Sequence, residues 1–123
     1  MTLASIKPVT RKYVTCHMLD ISNPSSSFVA APCKGQIMKV STTIFNAITG
    51  SNANMTLKVN GVLTGHAWIV TVAASAAGQT FSATSATTRA LARVNEGDVV
   101  EFVTDGASST TTPTTCMLEV EMD

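Results

Sequence analysis

The side chains that could do chemistry are few and widely spaced. The chain has two histidines, His17 and His66, and three cysteines, Cys16, Cys33 and Cys116. Their spacings match no recurrent zinc pattern, and an odd number of distant cysteines does not indicate a disulfide framework. A hydrolytic triad needs a nucleophile at a strained elbow beside a base, and no G-x-S-x-G motif is present. We therefore predict no active site and no metal centre, and we expect the cysteines to be small buried apolar residues.

Motifs for other ligands are also missing from the sequence. No glycine-rich loop has the spacing of a phosphate-binding motif, and we predict no cofactor. Asp98 and Asp105 lie near glycines but lack the alternating oxygen ligands of a calcium loop, so we expect them to cap turns. Trp68 is better explained as a core or interface residue than as a sugar-stacking platform. Eight basic residues balance eight acidic ones, which argues against recruitment by nucleic acid or an anionic membrane.

The composition and the spacing of turn residues predict the secondary structure and the fold class. A chain of 123 residues suits one domain. Its abundance of Thr, Ser, Ala and Val favours strands over long amphipathic helices. Clusters of Gly, Pro, Asn and Ser recur about every ten residues, a spacing typical of sandwiches. We predict an all-β fold, an antiparallel β-sandwich of the jelly-roll type with about eight strands. An N-terminal arm would span residues 1–12 and the sandwich residues 13–123.

Alternation of apolar and polar residues predicts the individual strands. Met55–Val59 alternates cleanly and precedes Asn60-Gly61, a dipeptide typical of a type I′ hairpin turn. The segment Ala67–Ala73 is apolar on both faces, so it is either a central strand or one whose outer face meets another subunit. Ser75–Val94 could hold helical turns through Ala86, Ala90, Leu91 and Val94, but we favour extended structure. The other predicted strands are Arg11–Leu19, Phe28–Ala31, Gln36–Thr49 (with Met38, Val40, Ile44 and Ile48 on one face), Val99–Thr104 and Thr114–Met122.

The charges are distributed unevenly between the two ends of the chain. Lys7, Arg11 and Lys12 lie near the start, whereas acidic residues dominate the last strand. These are either solvated ends or an arm that becomes ordered on a partner. No stretch approaches the roughly 20 apolar residues of a membrane span, and the N-terminus lacks the apolar run of a secretory signal. We therefore expect synthesis in the cytoplasm and no membrane partner.

Four segments, in order and spacing, resemble the small decoration, or cement, proteins on the heads of tailed bacteriophages. They are FVAAPCKGQIMKV, NAITGSNANMTLKVNG, ASAAGQTFSATSAT and VNEGDVVEFVTDGASST. The likeness is carried by a strand closed by P-C-x-G, a hairpin through V-N-G, a small-residue A-x-A-A-G loop and a G-D-V strand ending in T-D-G. Such segments also suit other small sandwiches, including trimeric jelly rolls of the tumour-necrosis-factor type. The N-terminal arm through Met18 has no counterpart in the resemblance.

The resemblance implies a homotrimer, or less often a dimer, that binds the major capsid protein and braces the shell from outside. The expected location is the outer capsid surface of a virion, after synthesis in the host cytoplasm. We expect Lys7, Arg11 and Lys12 to contact the capsid. One alternative is a carbohydrate-binding or host-adhesion module of a virion fibre, which should show an aromatic-lined groove. An enzyme or metal protein on a jelly-roll scaffold is disfavoured by the lack of clustered ligands. The expected subunit-interface residues are Leu63, Trp68 and Val70.

Overall fold

The computed structural model describes residues 9–84 and 92–123, in which nine β-strands form two antiparallel sheets. Lys7 and residues Ala86, Ala90 and Leu91 of the helical alternative lie outside the described residues. The strands are β1 (Arg11–Met18), β2 (Ser25–Ala30), β3 (Gly35–Ile44), β4 (Ala53–Val59), β5 (Val62–Val70), β6 (Thr80–Ala83), β7 (Arg93–Val94), β8 (Val99–Thr104) and β9 (Thr114–Met122).

The topology is that of a jelly roll. The five-stranded sheet has the order β1-β9-β3-β6, with the two-residue β7 also beside β3, and the four-stranded sheet has the order β2-β8-β4-β5. The pairs β1·β9, β2·β8, β3·β6 and β4·β5 nest symmetrically about the turn between β4 and β5. Two Greek keys wound from one long hairpin give this order. The predicted fold class is confirmed, and the short β7 brings the strands to nine.

The central hairpin has the predicted turn. Val59 pairs with Val62, so Asn60 and Gly61 form a two-residue loop, and both have positive φ angles of 49° and 84°. These angles are those of a type I′ turn, whose twist matches that of the flanking strands. The Asn60 amide donates to the Val99 carbonyl at 2.8 Å, and the Asn60 side chain accepts from the Val99 amide at 3.0 Å. The turn is therefore also fixed to the neighbouring β8.

Inward-facing side chains from both sheets form one core. Trp68 of β5 is buried, and its ring meets Phe102 of β8 edge-on with the ring centroids 6.2 Å apart. Its indole N–H crosses to the other sheet and donates to Thr42 Oγ1 at 3.1 Å. A buried indole needs such a partner because an unpaired donor is costly. Trp68 therefore joins the two sheets. The largest fully buried side chains include Phe102, Ile21, Ile44, Met55, Leu57 and Leu118.

Strand β3 departs from the predicted alternation. The register with β9 shifts between Ile37 and Lys39, which marks a β-bulge. Because of the extra residue, Ile37 is buried and Met38 is only partly so, whereas the predicted inward face began with Met38. Val40 and Ile44 face inward as predicted. The strand ends at Ile44, so Ile48, although buried, lies in the following loop.

Strand β5 is an edge strand rather than a central one. It begins at Val62, ends before the predicted Ala73, and among the strands that the structure describes it pairs with β4. Gly65, with a φ of 90°, lies in a bulge between the pairs Thr56–Ala67 and Lys58–Leu63. In the region Ser75–Val94, β6 and β7 are extended, as favoured from the sequence.

The loop after β1 is fixed by one carboxylate. Asp20 accepts hydrogen bonds from the Ser22 amide at 2.9 Å, the Ser22 hydroxyl at 2.6 Å and Asn23 Nδ2 at 3.0 Å. It also accepts from the Thr112 amide at 3.0 Å. Burial raises the pKa of Asp20, but these hydrogen bonds outweigh it and lower the pKa. This carboxylate thus ties the loop after β1 to the loop before β9.

No helix in the described part of the chain has the length and apolar character needed to cross a membrane.

Replacing Gly35 with alanine is expected to destabilise the fold sharply. A Cβ at Gly35 would overlap the carbonyl oxygen of Glu121 in the paired strand β9. Neither backbone can retreat without breaking the ladder, so we expect a loss of about 3 kcal/mol in the free energy of unfolding. Gly61→Ala is the matched control, because its Cβ would meet nothing within 4 Å and only the positive φ is strained. That strain amounts to about 1 kcal/mol. Urea denaturation of both variants measures the two losses, and a Gly35→Ala loss no larger than the control's would contradict the overlap.

Candidate protein-binding surface

The structure does not assemble the two histidines into a site. His17 lies on the outer face of the five-stranded sheet, where its ring meets Phe45 edge-on at a centroid distance of 6.0 Å. His66 is buried on the inner face of β5, in the other sheet. Among residues 9–84 and 92–123, no three or more His, Cys, Asp or Glu side chains come together as a possible metal site.

The two aspartates near glycines cap turns, as predicted. Asp98 accepts a hydrogen bond from the Asn95 amide at 2.8 Å. Asp105 accepts from the Ala107 amide at 3.0 Å and from Asn54 Nδ2 at 2.6 Å. Burial raises the pKa of Asp105, but its hydrogen bonds outweigh this and lower the pKa. Both carboxylates therefore stabilise loops.

His66 is a buried core residue with one unpartnered nitrogen. Its Nδ1 lies 2.8 Å from Thr64 Oγ1, and the Thr64 hydroxyl reaches the Leu57 carbonyl at 3.4 Å. Its Nε2 is buried without a protein partner. A neutral ring with the proton on Nδ1 satisfies this arrangement, since only a lone pair is then left at Nε2. Burial lowers the pKa of His66 because the charged ring would lose its hydration.

An open cleft of about 370 Å³ lies between the end of β1 and the start of β2. His17, Asp20 and Asn23 are among its lining residues. The Asp20 carboxylate and the Asn23 amide already hydrogen bond within the loop. The polar groups of the cleft thus hold the turn together, and the cleft lacks the enclosed apolar walls of a small-molecule site.

The outer face of the five-stranded sheet is polar and charged. Arg11 Nη1 lies 3.5 Å from Glu119 Oε1, and Arg11 Nη2 lies 3.7 Å from Glu121 Oε2. The Tyr13 hydroxyl hydrogen bonds to Glu119, and this raises the pKa of Tyr13. Exposed pairs of this kind contribute little to stability. This face satisfies its own charges and carries few apolar groups.

The outer face of the four-stranded sheet is different, because large apolar side chains remain exposed on it. The relative exposures are 59% for Phe28 on β2, 47% for Val99 on β8, and 52% and 50% for Leu63 and Ile69 on β5. We call these four residues the apolar face. One row across the sheet reads Phe28, Glu101, Lys58, Leu63, in which the oppositely charged Glu101 and Lys58 are direct neighbours in register. Large exposed apolar side chains that share one sheet face are a feature of protein-binding surfaces.

The dimensions of this sheet limit the strength of a single contact. Four strands spaced about 4.8 Å apart and about six residues long span roughly 20 by 20 Å. Such an area is about half of the roughly 800 Å² that each partner contributes to a standard interface. A stable contact through the apolar face would therefore include the edge of β5 and neighbouring loops, or would be repeated around a symmetry axis.

The residues predicted for the interface divide between the two sides of β5. Leu63 belongs to the apolar face, whereas Trp68 and Val70 point inward and are buried within the chain. They are therefore not available at the surface of the described chain. The sequence analysis missed Phe28, Val99 and Ile69. Ile69 alternates with Trp68 and Val70, which is the one signal that could have assigned it to the outer face.

The residues predicted for capsid contact are also separated. Arg11 and Lys12 are the first two residues of β1, as in the predicted strand Arg11–Leu19, and as neighbours in a strand they point to opposite faces. Arg11 is ion-paired with Glu119 and Glu121, while Lys12 is exposed. Among the exposed aromatic rings, Phe28 lies on the other sheet from Tyr13 and Phe45, and none of the three lines the cleft beside His17.

No known family model and no curated protein matches this sequence.

Several solved structures share the fold. A chain in the capsid asymmetric unit of cyanophage Pam1 has a TM-score of 0.54 and 15% identity, over 100% of this chain and 94% of that one. A chain in the acid-stable capsid structure of the Helicobacter pylori bacteriophage KHP30 has a TM-score of 0.53 and 13% identity, over 91% and 87%. A chain in the complex of an Aeromonas sobria serine protease with its chaperone has a TM-score of 0.51 and 9% identity, over 96% of this chain but 28% of that one. At these identities the likeness establishes the fold.

Acidification is expected to destabilise the fold through His66. The folded pKa lies below the unfolded value of 6.5, so the stability of the neutral ring is complete above pH 6.5 and is lost as the pH falls below it. The slope is at most about 1.4 kcal/mol per pH unit, until the folded pKa is reached. Asp20 and Asp105 add a separate loss only below their unfolded value of 3.8.

Urea midpoints at pH 6.0, 5.5 and 5.0 measure this slope, because Cys16, whose pKa is about 7, also changes charge between pH 7.5 and 6.0. His66→Gln should flatten it, because the substitute cannot take up a proton. His17→Gln is the matched control on an exposed position and should leave the slope unchanged. Equal slopes for His66→Gln and the original chain would rule out His66 as the source.

Proposed function

We propose that this chain is a structural protein of a bacteriophage virion that binds the outer capsid surface and stabilises it. The observation that carries the proposal is the match to chains in two phage capsid structures over nearly the full length of all three chains. The resemblance of four sequence segments to decoration proteins supports it independently. The apolar face supports it physically, because such a protein needs complementary surface rather than a pocket.

The proposed assembly is a homotrimer in which the apolar face of each copy contacts its neighbour. Leu63 and Ile69 lie on β5, which is the outermost of the described strands of its sheet, so the proposed contact extends beyond the face to this edge. Lys58 and Glu101 carry opposite charges and are neighbours in register on this face, so the row has no net charge to desolvate. The major capsid protein is the proposed partner of the assembled trimer. Several copies around one axis then multiply individually weak capsid contacts by effective concentration.

The proposed capsid contact is the start of the chain. The positive charge of Arg11 is already neutralised by Glu119 and Glu121, so its contribution to binding is expected to be small. Lys12 is exposed, and together with Lys7 it supplies the cations of this segment. Rim charges of this kind steer encounter and fix orientation more than they add affinity.

The trimer prediction is tested by the solution mass of the purified chain. Light scattering should give three times the chain mass of 12.8 kDa. The double variant Leu63→Asp/Ile69→Asp should be monomeric, because two carboxylates would be buried without partners in the contact. Thr15→Asp/Ser82→Asp is the matched control, since both residues are exposed in strands of the other sheet.

Unfolding curves establish that both double variants are folded before their masses are compared. A monomeric original chain would contradict the trimer. A trimer that survives Leu63→Asp/Ile69→Asp would show that the contact lies elsewhere.

The capsid prediction is tested by co-sedimentation with empty capsids of the phage that encodes the chain. The double variant Lys7→Glu/Lys12→Glu should bind about tenfold more weakly, because two positive charges are reversed. Raising the ionic strength should reduce that difference. Lys34→Glu, on an exposed lysine outside the segment, is the control. Absence of binding by the original chain would exclude the decoration role, and equal binding by both variants would exclude the capsid contact at this segment.

A further inference from the structure

The fold places two cysteines from opposite ends of the chain side by side. Cys16 of β1 and Cys116 of β9 are direct partners in the antiparallel ladder. Both side chains point inward, where Cys116 is fully buried and Cys16 packs against the core while remaining partly exposed. Both are free thiols.

The ladder fixes the distance between these residues. The Met122 amide donates to the Thr10 carbonyl at 2.8 Å, and the register is unbroken from Arg11 to Met18. Hydrogen-bonded pairs alternate along such a ladder, so Cys16 and Cys116 occupy one, with Cα atoms about 5.5 Å apart. Disulfides need a Cα separation of about 4.4–6.8 Å.

Closing the bond also requires the two Cβ atoms to approach. Their expected separation at such a pair is about 5 Å, whereas a disulfide needs about 4 Å. Strand β1 can supply this movement, because among the described strands it lies at the edge of its sheet and pairs with β9. A bond made with this slight strain is more easily reduced than a relaxed one.

The two thiols differ in pKa and in exposure to solvent, and this difference sets the order in which they react. A hydrogen bond from Cys116 lowers the pKa of Cys16 to about 7, against the opposing effect of burial. The same hydrogen bond and burial raise the pKa of Cys116. Cys16 is thus the thiol that ionises first and also the one that solvent reaches.

We propose that Cys16 and Cys116 are an oxidation site, at which a small-molecule disulfide converts the thiol pair into a reversible intrachain disulfide. The Cys16 thiolate attacks one sulfur of the small disulfide, forms a mixed disulfide and releases one thiolate. Cys116 then loses its proton and attacks the Cys16 sulfur, which forms the intrachain bond and releases the second thiolate. Two protein thiols lose two electrons, the small disulfide gains them, and the two protons end on the released thiols.

The third cysteine cannot take part in this exchange. Cys33 is buried just before β3, whose first residue, Gly35, pairs with Met122 at the far end of β9. Cys116 lies six positions before Met122 along β9, and six strand steps correspond to a distance of about 20 Å. The product is therefore confined to the pair. The bond would fasten the edge strand β1, and with it the N-terminal segment, to the last strand of the chain. The inference does not depend on the proposed capsid role.

The full-length chain, reduced and then incubated with oxidised glutathione, tests the site. Mass spectrometry should show the loss of two hydrogens and no glutathione adduct, and thiol titration in urea should fall from three groups to one. Peptide mapping should join the peptides of Cys16 and Cys116. A reductant should reverse all three changes.

Three variants separate this mechanism from nonspecific oxidation. Cys116→Ser should keep glutathione bound at Cys16, because the second step is removed. Cys16→Ser should keep both remaining thiols free in the folded chain, since each is buried. Cys33→Ser is the matched control and should form the disulfide at the original rate. A folded original chain that keeps three free thiols, retains glutathione, or links to a second chain would overturn the proposal.

Discussion

The turn at Asn60-Gly61 is the centre about which the whole jelly roll is wound. Every further pair adds one strand from each side of it, from β4·β5 outward to β1·β9. Pairing two strands that are farther from the turn closes a longer loop and costs more chain entropy. This cost is smaller once the inner pairs have formed, so the outer pairs depend on the inner ones. The tight turn that the positive φ angles of Asn60 and Gly61 allow is thus the midpoint of a strand arrangement that brings β1 and β9 together in one sheet.

The winding also decides which residues are left outside. Each strand must turn its more apolar side to the shared core, because the two sheets bury one face each. In β1 and β9 the opposite sides are charged and pair with one another, as Arg11 does with Glu119. In β2, β5 and β8 the opposite sides still carry Phe28, Leu63 and Val99. The two outer faces therefore differ because β2, β5 and β8 carry apolar residues on their outward sides as well as in the core. These outward apolar residues are what a partner would cover.

Sequence alternation predicted the elements wherever a strand carries no extra residue of its own. Strands β4, β8 and β9 meet this condition, because the bulges beside β4 and β9 insert their extra residues in β5 and β3, and Thr114–Met122 was located to the residue. The pattern failed at the bulge beside Ile37, because an inserted residue changes which side chains face inward. The pattern also did not identify the outward face of β5, because this strand is apolar on both sides. Strict alternation places Leu63 opposite Trp68 and Val70, so these three could not share one surface. The Cys16–Cys116 pair was beyond reach, since long-range register is set by topology rather than local pattern.

The arrangement of ends and faces gives one subunit two separate surfaces. The described chain begins at the β1 edge of the five-stranded sheet, and its last strand is the neighbour of β1. The apolar face belongs to the other sheet, about 10 Å away across the core. The apolar face alone offers about half of the area that one partner contributes to a standard interface. In the proposed assembly, its separation from the β1 edge would let several copies associate through one surface and bind a common support through the other, where repeated weak contacts add up.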